Sequence, residues 1–364
     1  STIVRDLARQ PDLEVRVVDV SEENLAAVGS AARVERRRGD LATPSGVREA
    51  IAGCDAVVGA VPGRLGTAML RTVIEERKPV ADISFAPENP LELDGLARDR
   101  GVTAIVDCGV SPGLSNLAVG RAFAKLGMLD DAVIFVGGRP VERRWPYEYR
   151  IVFSATDVIE EYTRPARLVE GGRLVVKEAL SEPEPVDIPG VGTLEAFNTD
   201  GLRTLLQTVR ATNMKEKTLR YPGHAERMRM LRDTGFFADA AVRVGEVEIA
   251  PRALTETLLF RAWKRPAGEE ELTVLRVVAV GEAGRRPVRY TFDLFDRTDT
   301  ATGETSMART TGFPCSIMVQ MLARGEFRRP GILPPERFAG DDVVYEKLVA
   351  ELGKRGVKFT ERVE

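Results

Sequence analysis

The chain has 364 residues, of which 43% are hydrophobic, and its 52 Lys and Arg residues nearly balance 55 Asp and Glu residues. This size predicts a large core shared between two domains. The even charge, without a basic stripe, excludes nucleic acid as a favoured partner. No window approaches the ~18 apolar residues of a membrane span. One histidine and three scattered cysteines indicate no metal site and reduced thiols, as expected of a cytoplasmic protein.

Short apolar runs alternate with helical stretches through the first third of the chain. Strands separated by helices of this length are typical of a parallel, right-handed α/β sheet covered on both faces. We therefore predict a Rossmann-type doubly wound sheet. Its strands are expected at Glu14–Val20, Val34–Asp40, Cys54–Pro62, Pro79–Phe85 and Val102–Gly109.

The chain begins inside the first βαβ unit of this sheet. In a nicotinamide-binding unit, an acidic residue ends the second strand about 20 residues after the glycine fingerprint. Asp19 ends the first predicted strand here, which places the fingerprint at Ser1 or before it. We expect the natural protein to contain that strand and its glycine loop. A sheet without the strand would leave two neighbours unpaired and a slot between them.

The pattern changes from about Val133, where longer runs with period-2 alternation predict a mixed, mostly antiparallel sheet in an α+β domain. Residues Ala283–Arg286 are predicted to form a hairpin turn, and Cys315–Phe327 an apolar helix. The expected domains are residues 1–118 and 119–364, with helix 313–326 packing back on the first. The predicted strands are at 132–138, 149–162, 173–180, 272–280 and 288–296.

Asp19 is the strongest candidate for cofactor binding. A carboxylate at this place accepts hydrogen bonds from the adenosine ribose hydroxyls and repels a 2′-phosphate. Glu22 and Glu23 increase that repulsion, and no arginine directly follows Asp19. The sequence therefore favours NAD over NADP. The alternative interpretation is an acidic helix cap, with the two glutamates in the first turn.

Other candidates lie where the predicted strands end, because ligands bind outside the carboxyl ends of a doubly wound sheet. Small residues there allow close approach of backbone to a cofactor. Phe85 and Asn116, on the same rim, are candidates for contact with substrate. The alternative for each segment is ordinary turn and cap chemistry. The cofactor candidates are Asp40, Ala60, Val61, Pro62, Asp82, Cys108, Gly109 and Gly113.

Three polar clusters interrupt the apolar sequence farther on, at 195–201, 220–228 and 308–314. An amino-acid substrate needs a cation for its carboxylate, and Arg309 can form such a clamp. Glu195 or Asp200 can hold the ammonium group. His224 is the only histidine, and it is either an acid/base near neutral pH or a structural hydrogen-bonding residue.

These clusters, in this order, resemble the saccharopine dehydrogenase family, and within it the lysine 6-dehydrogenases. The resemblance covers nearly the whole chain from Asp19 to about Gly325. The segments that carry it are DISF with PLELD, DCGVSPGLSN, EAFNTDGL, RYPGHAERM and SMARTTGFPCSIMVQML. The sequence departs from the family in one respect, because it does not contain the family's glycine fingerprint.

The resemblance implies a Rossmann domain, a catalytic domain that also forms a homodimer interface, and a cleft between them. It places Asp19 at the adenosine ribose, residues 60–62 and 108–109 beside the cofactor, and residues 113–116 near the cleft. It also places a group of polar residues at the substrate. These are Glu195, Thr199, Asp200, His224, Arg309 and Thr310.

The expected function is NAD-dependent oxidative deamination of the ε-amino group of L-lysine, a small-molecule substrate. One alternative is a saccharopine- or carboxynorspermidine-type enzyme acting on a secondary amine. It would need a second carboxylate-binding cluster, for which Arg143, Arg144 and Arg150 are available. The other alternative is a dimeric NAD-binding scaffold without catalytic activity.

Overall fold

The computed structural model describes residues 1–29, 32–151 and 155–364, leaving aside the side chains of residues 155–157. The helices of the described residues, numbered α1 to α12, are Thr2–Ala8, Glu22–Ala27, Pro44–Ile51, Gly63–Glu75, Asp94–Arg100, Leu114–Leu126, Ala155–Thr163, Leu205–Thr208, His224–Thr234, Pro251–Trp263, Ser306–Ala323 and Asp342–Lys354. The strands, numbered β1 to β17, are Val15–Asp19, Val34–Arg38, Val57–Gly59, Val80–Asp82, Thr103–Ile105, Leu129–Pro140, Ala166–Glu170, Arg173–Lys177, Glu184–Ile188, Gly192–Thr199, Ala211–Arg220, Val242–Val244, Val247–Ile249, Glu271–Ala283, Arg286–Arg297, Gly331–Leu333 and Phe359–Val363.

The described chain divides into two compact units. Unit 1 comprises Ser1–Lys125, Arg203–Val209 and Ala308–Phe359, and unit 2 comprises Leu126–Leu202, Arg210–Met307 and Thr360–Glu364. The sequence prediction assigned everything after residue 118 to the second domain, apart from a helix packing back. In the structure α11 does pack on unit 1, where Ser316 and Gln320 donate hydrogen bonds to Asp6 of α1. The chain after it stays in unit 1 because β16 pairs in parallel with β5.

The strands of unit 1 are parallel, as predicted. β1 pairs with β2, and a separate sheet has the order β16-β5-β4-β3. Helices α3, α4 and α5 bury apolar side chains against the second sheet, including Val47, Val73 and Ala97. Ser21 and Thr43 accept backbone N–H groups at the starts of α2 and α3. This capping fixes where those helices begin.

The described residues of unit 1 do not form one continuous sheet. A cavity of about 1300 Å³ is lined by β1 and β3, including Val15, Val17, Val57 and Gly59. All residues of β1 remain partly exposed, although strands of a doubly wound sheet are normally covered on both faces. In the described part of the chain, β1 and β3 thus line one cavity but belong to separate sheets.

Unit 2 is built on a mixed, mostly antiparallel sheet, which confirms the predicted α+β architecture. The main path of strands is β17-β15-β14-β6-β11-β10-β9, and β7 and β8 extend from β11. β6 and β11 are parallel neighbours, whereas β14 and β15 form a long antiparallel hairpin. Gly284 and Arg285 join that hairpin with φ values of 57° and 66°. Positive φ at both positions is what a two-residue type I′ turn requires, so the predicted turn is confirmed.

One sequence prediction fails in this part of the chain. The predicted strand over 149–162 includes residues 152–154, which lie outside the described residues, and its end forms α7 instead. Val158, Ile159 and Tyr162 are fully buried on that helix, and this spacing is helical rather than period-2. The polar cluster at 308–314 belongs to α11, which begins at Ser306 and contains Pro314. Among the described residues, no helix combines the length and apolarity needed to cross a bilayer.

Candidate functional site

The ends of β3, β4 and β5 meet in unit 1. The amide of Val61 donates to the Ser84 hydroxyl at 3.1 Å, and the amide of Cys108 donates to the Asp82 carbonyl at 3.0 Å. A Cβ on Gly63 would lie 2.2 Å from the Phe85 carbonyl oxygen, so only glycine fits at the start of α4. The structure thus brings together the predicted segments at 60–62, 82–85 and 107–116, which we call the strand-end rim.

Asp82 is the most perturbed carboxyl group of this rim. Burial raises its pKa to about 6, and the Asp107 charge raises it too, whereas hydrogen bonds from Ser84 lower it. The buried thiols of Cys108 and Cys315 lie beside it. Contact with Cys108 and burial raise the pKa of Cys315 well above its usual value, so this thiol stays protonated. This part of the rim therefore combines a neutral thiol with a carboxyl group whose pKa is shifted upward.

Asp107 binds a buried arginine that no sequence pattern indicated. Arg203 Nε lies 3.0 and 3.1 Å from the two carboxylate oxygens of Asp107, and the guanidinium also donates to the Ala86 carbonyl at 2.7 Å. It stacks 4.5 Å from the centre of the Phe85 ring. Phe85 therefore forms a cation–π contact with Arg203 at the rim.

The turn at 109–116 is shaped by a glycine and an asparagine. Gly113 has φ 146°, and a Cβ there would collide with the Gly109 carbonyl at 1.8 Å. The buried Asn116 accepts the Gly113 amide at 3.2 Å and donates to Glu336 at 3.3 Å. Burial raises the pKa of Glu336. Asn116 therefore lies in a buried hydrogen-bond network of unit 1.

The predicted adenosine end lies at the carboxyl ends of β1 and β2. Asp19 accepts hydrogen bonds from the Ser21 amide at 2.8 Å and from the Asn24 side chain at 3.2 Å. The exposed Asp40 accepts the Ala42 amide at 2.9 Å after β2. The N-cap of α2 is Ser21 rather than Asp19. A carboxylate has about four acceptor positions, so Asp19 can still accept from a ribose hydroxyl.

Arg38 is a neighbour of Asp19 that sequence reasoning missed. It pairs with Asp19 in the parallel register of β1 and β2, and its Nε lies 3.9 Å from Glu22. A cation therefore lies near Asp19, although no arginine directly follows Asp19 in the sequence. An arginine near the ribose position is what accommodates a 2′-phosphate.

Arg309 and Thr310 are buried on α11 in unit 1. Arg309 donates to the Arg355 carbonyl at 3.2 Å, beside the end of α12, and its guanidinium lies 5.5 Å from the Phe313 ring. Arg309, the predicted carboxylate clamp, thus already binds a backbone carbonyl at the end of α12.

The predicted polar residues of unit 2 surround the start of α9. Glu195 on β10 accepts the Ala225 amide at 2.8 Å, which satisfies one of the free N–H groups of that helix. His224, the first residue of α9, is buried, with Nε2 2.9 Å from the Tyr162 hydroxyl and Nδ1 3.2 Å from the Tyr147 carbonyl. Nδ1 must donate to a carbonyl, so Nε2 accepts from Tyr162.

Burial lowers the pKa of His224, and the charge of Arg220 acts in the same direction, so that the pKa is about 3. The ring is therefore neutral at neutral pH, with both nitrogens occupied. Of the two interpretations that the sequence left open, this geometry favours the structural one.

Thr199 and Asp200 follow the same strand but face other partners. The Thr199 hydroxyl lies 3.0 Å from that of Thr218. Asp200 receives three hydrogen bonds from Arg167, at 3.1, 2.8 and 2.9 Å, one from its amide and two from its guanidinium. The structure brings Glu195 and His224 together within unit 2, whereas Asp200 lies in an ion pair with β7. In the part of the chain that the structure describes, no group of three or more His, Cys, Asp or Glu residues is placed to hold a metal.

Comparison with known proteins gives two matches that together span almost the whole chain. Residues 1–105 match the saccharopine dehydrogenase NADP binding domain, and residues 109–357 match the saccharopine dehydrogenase C-terminal domain. The chain belongs to the saccharopine dehydrogenase family. This confirms the resemblance found in the sequence at the level of the family.

Similar members of the family come from fungi. A saccharopine dehydrogenase [NADP(+), L-glutamate-forming] of Schizosaccharomyces pombe is 21% identical over 89% of this chain and 87% of its own length. The enzyme of the same name from Pyricularia oryzae is 25% identical over 51% of this chain, which spans only 44% of that protein. The solved structure of apo saccharopine dehydrogenase (L-Glu forming) from Saccharomyces cerevisiae covers 100% of this chain and 97% of its own, with a TM-score of 0.81 and 18% identity. That likeness shows the fold.

Proposed function

We propose that this chain, as an NAD(P)-dependent amino-acid oxidoreductase of the saccharopine dehydrogenase type, oxidises the ε-amino end of L-lysine with NAD. The observation that carries the proposal is the strand-end rim of unit 1, in a segment that matches a nicotinamide nucleotide-binding domain. Three strand ends with small residues are assembled there, as a cofactor requires. The choice of lysine rests on the resemblance of the polar clusters to the lysine 6-dehydrogenases.

The residues present fit a dinucleotide at two places. Asp19, at the carboxyl end of β1, would hold the adenosine ribose, and Asp40 lies at the neighbouring strand end. Gly63, whose Cβ would strike the Phe85 carbonyl, keeps the start of α4 close to the end of β4, where the rim would approach the nicotinamide half. When bound, NAD supplies the hydride acceptor.

The chemistry proposed for the substrate is an oxidation followed by hydrolysis. The ε-ammonium group loses a proton, and its lone pair then forms a C=N bond as hydride leaves the ε-carbon. Water adds to the imine, ammonia departs, and the 6-semialdehyde cyclises to a piperideine carboxylate. Lysine has an ordinary side-chain pKa of about 10.4, so the reactive amine is scarce at neutral pH. The task of the protein is to orient the amine and to exclude water until hydride has moved.

The predicted roles of Glu195, Asp200 and His224 stay proposals. Glu195 is the best placed of them to attract a substrate ammonium group, because its partner is a neutral amide rather than a cation. Asp200 would first have to leave Arg167. The neutral His224 is better suited to fixing Tyr162 and Tyr147 than to moving a proton near pH 7. The homodimer and the cytoplasmic location also stay predictions.

A secondary-amine substrate of the saccharopine type is the main alternative. The cluster that would bind its additional carboxylate is already paired in the structure. Arg143 bonds to Glu148 at 2.8 Å, Arg144 to Glu142 at 2.7 Å, and Arg150 to Glu269 at 2.8 Å. These pairs argue against a free anion site at this cluster, although the curated relatives reported above carry the saccharopine name.

NADP is the alternative cofactor, and Arg38 is the observation that favours it. The family domain that matches residues 1–105 is described as NADP binding. We keep NAD as the proposal because Asp19, Glu22 and Glu23 place three carboxylates around the same strand end.

The test is the rate of nicotinamide reduction with L-lysine or L-saccharopine, each with NAD or NADP, from about pH 7 to about pH 10. We expect reduction of NAD with lysine, a rate that rises with pH, and release of ammonia. Faster reduction with saccharopine would support the secondary-amine alternative. NAD binding by calorimetry without reduction by either amine would support the scaffold.

A further inference from the structure

Strand β6 ends beside a buried arginine, Arg139, that has no counter-ion in the part of the chain that the structure describes. Arg139 is fully buried, and none of its three guanidinium nitrogens has a hydrogen-bond partner among the described residues. This sets it apart from the other arginines of the same region, because Arg143, Arg150 and Arg220 each bond to a glutamate. Among the described residues, no carboxylate therefore pairs with Arg139.

The surroundings of Arg139 are apolar and aromatic. It lies opposite Leu272 of β14 in the antiparallel register, and its guanidinium is 5.0 Å from the centre of the Tyr221 ring. Leu219 and Val274 belong to the core cluster on which Tyr221 packs. Arg143 stacks on the same ring at 4.8 Å. Tyr221 is partly exposed and Arg143 is exposed, so both of these side chains contact solvent.

The charges around Arg139 do not neutralise it. Burial lowers its pKa, the Tyr221 hydroxyl offsets part of that effect, and the charge of Arg220 lowers it further. Among the neighbours, Arg143 and Arg220 are cations, and their glutamate partners are already engaged. Arginine nevertheless stays protonated in proteins because its ordinary pKa is so high.

An unpaired buried charge of this kind is costly. The free-energy cost of removing an ion from water is large even after the protein relaxes, and a single cation–π contact is a much weaker interaction. The Tyr221 ring alone therefore does not offset the burial of Arg139. A planar guanidinium with free parallel N–H groups is matched best by a carboxylate, which accepts two hydrogen bonds at once.

The position in the sheet fits a binding site. Arg139 lies near the end of β6, and Arg220 ends β11, the parallel neighbour of β6. Arg139 and Arg220 therefore lie at the same edge of the sheet of unit 2. Arg309, the clamp expected from the sequence, already donates to the Arg355 carbonyl, which leaves Arg139 as the better candidate.

We propose that Arg139 binds the carboxylate of a small amino-acid or carboxylic-acid ligand in unit 2. That the bound group is the α-carboxylate of lysine rests on the proposed function, whereas the existence of a carboxylate site at Arg139 does not. One planar guanidinium matches one carboxylate group, so a dicarboxylate such as glutarate would bind here through one of its two carboxylates.

The experiment compares the intact chain with Arg139→Met. Arg143→Met is the matched control, because Arg143 stacks on the same ring but is exposed and paired. Thermal unfolding is followed with added sodium glutarate, with L-lysine, and with cadaverine, which is lysine without its carboxylate, all against sodium chloride at equal ionic strength. Binding of glutarate and lysine is measured by calorimetry.

We expect Arg139→Met to unfold without ligand at the same temperature as the unchanged protein or higher, because an unpaired buried charge is removed. Glutarate should raise the unfolding temperature of the unchanged protein and of Arg143→Met, but not that of Arg139→Met. Affinity for the carboxylate should fall roughly 30-fold or more in Arg139→Met. Arg139→Lys, which keeps the charge without the planar fork, should bind with intermediate affinity.

Marked destabilisation or failure of Arg139→Met to fold without ligand would assign Arg139 a structural role and overturn the proposal. Equal stabilisation of Arg139→Met and the unchanged protein by glutarate would also overturn it, as would stabilisation by cadaverine equal to that by lysine. Glutarate binding that depends on Arg139, without oxidation of lysine, would refute the proposed function alone. Oxidation of lysine with an unchanged KM in Arg139→Met would refute the carboxylate site alone.

Discussion

Replacing Asp107 by Asn should destabilise unit 1 more than any change to an exposed ion pair. The side chains of Arg203 and Asp107 are 7% and 2% exposed, and they are joined by contacts of 3.0 and 3.1 Å. Asn keeps the size of Asp and is tolerated at the left-handed φ of 52° that Asp107 adopts. The substitution therefore removes the charge without straining the backbone.

The expected loss is about 3 kcal/mol. Removing one partner of a buried ion pair costs about 3–5 kcal/mol because the other charge is left uncompensated. Arg203 keeps its bond to the Ala86 carbonyl and its contact with Phe85, which places the expected value at the low end. Since about 1.4 kcal/mol is a factor of ten, the slowest amides of β5 and α6 should exchange roughly 100-fold faster.

Hydrogen exchange followed by mass spectrometry is the appropriate assay, because it reports opening of unit 1 by itself. The control is Arg98→Met, which breaks the ion pair with Asp94 on α5, whose side chains are 60% and 22% exposed. That change should cost less than about 0.5 kcal/mol. The double variant Asp107→Asn with Arg203→Met should regain most of the loss, since no buried charge remains. Exchange in Asp107→Asn no faster than in Arg98→Met would refute the reasoning.

The remaining predictions concern His224, Asp19 and the three cysteines. His224 is the only histidine, so its ¹⁵N imidazole signals should show the neutral Nδ1–H form without titrating between about pH 8 and pH 5; a midpoint near 6.5 would contradict its burial. Because the folded pKa of about 3 lies below the unfolded value, stability should fall as pH drops below about 6.5, by roughly 2 kcal/mol at pH 5, and urea unfolding at several pH values measures this. Asp19→Asn should weaken NAD binding at least about tenfold, by losing a charged hydrogen bond, and NADP binding less; equal losses in calorimetry would speak against a ribose contact. In the native protein a thiol reagent should modify Cys54 promptly and the buried Cys108 and Cys315 only after unfolding; rapid reaction of all three thiols would show that the rim is open.

The arrangement of unit 1 was largely predictable because its signals are local. Continuous apolar runs separated by helical stretches specify buried parallel strands, and the carboxyl ends of such strands must share one edge. The segments at 60–62, 82–85 and 107–116 met for that reason. The failures came where local pattern is ambiguous. A short apolar run such as 149–162 fits a strand or a buried helix, and only the core around Tyr162 decides between them.

The sequence by itself determined the family, the two kinds of sheet and the rim residues, since each is written in the period of apolar residues or in motifs a few residues long. Only the tertiary structure decided which charges are neutralised. Asp107 meets an arginine 96 positions away, and Asn116 meets a glutamate 220 positions away. Arg139 meets none among the described residues. The partner of a buried charge depends on where the chain returns, which no local pattern encodes, and Arg139 accordingly appears in the sequence as one ordinary arginine among many.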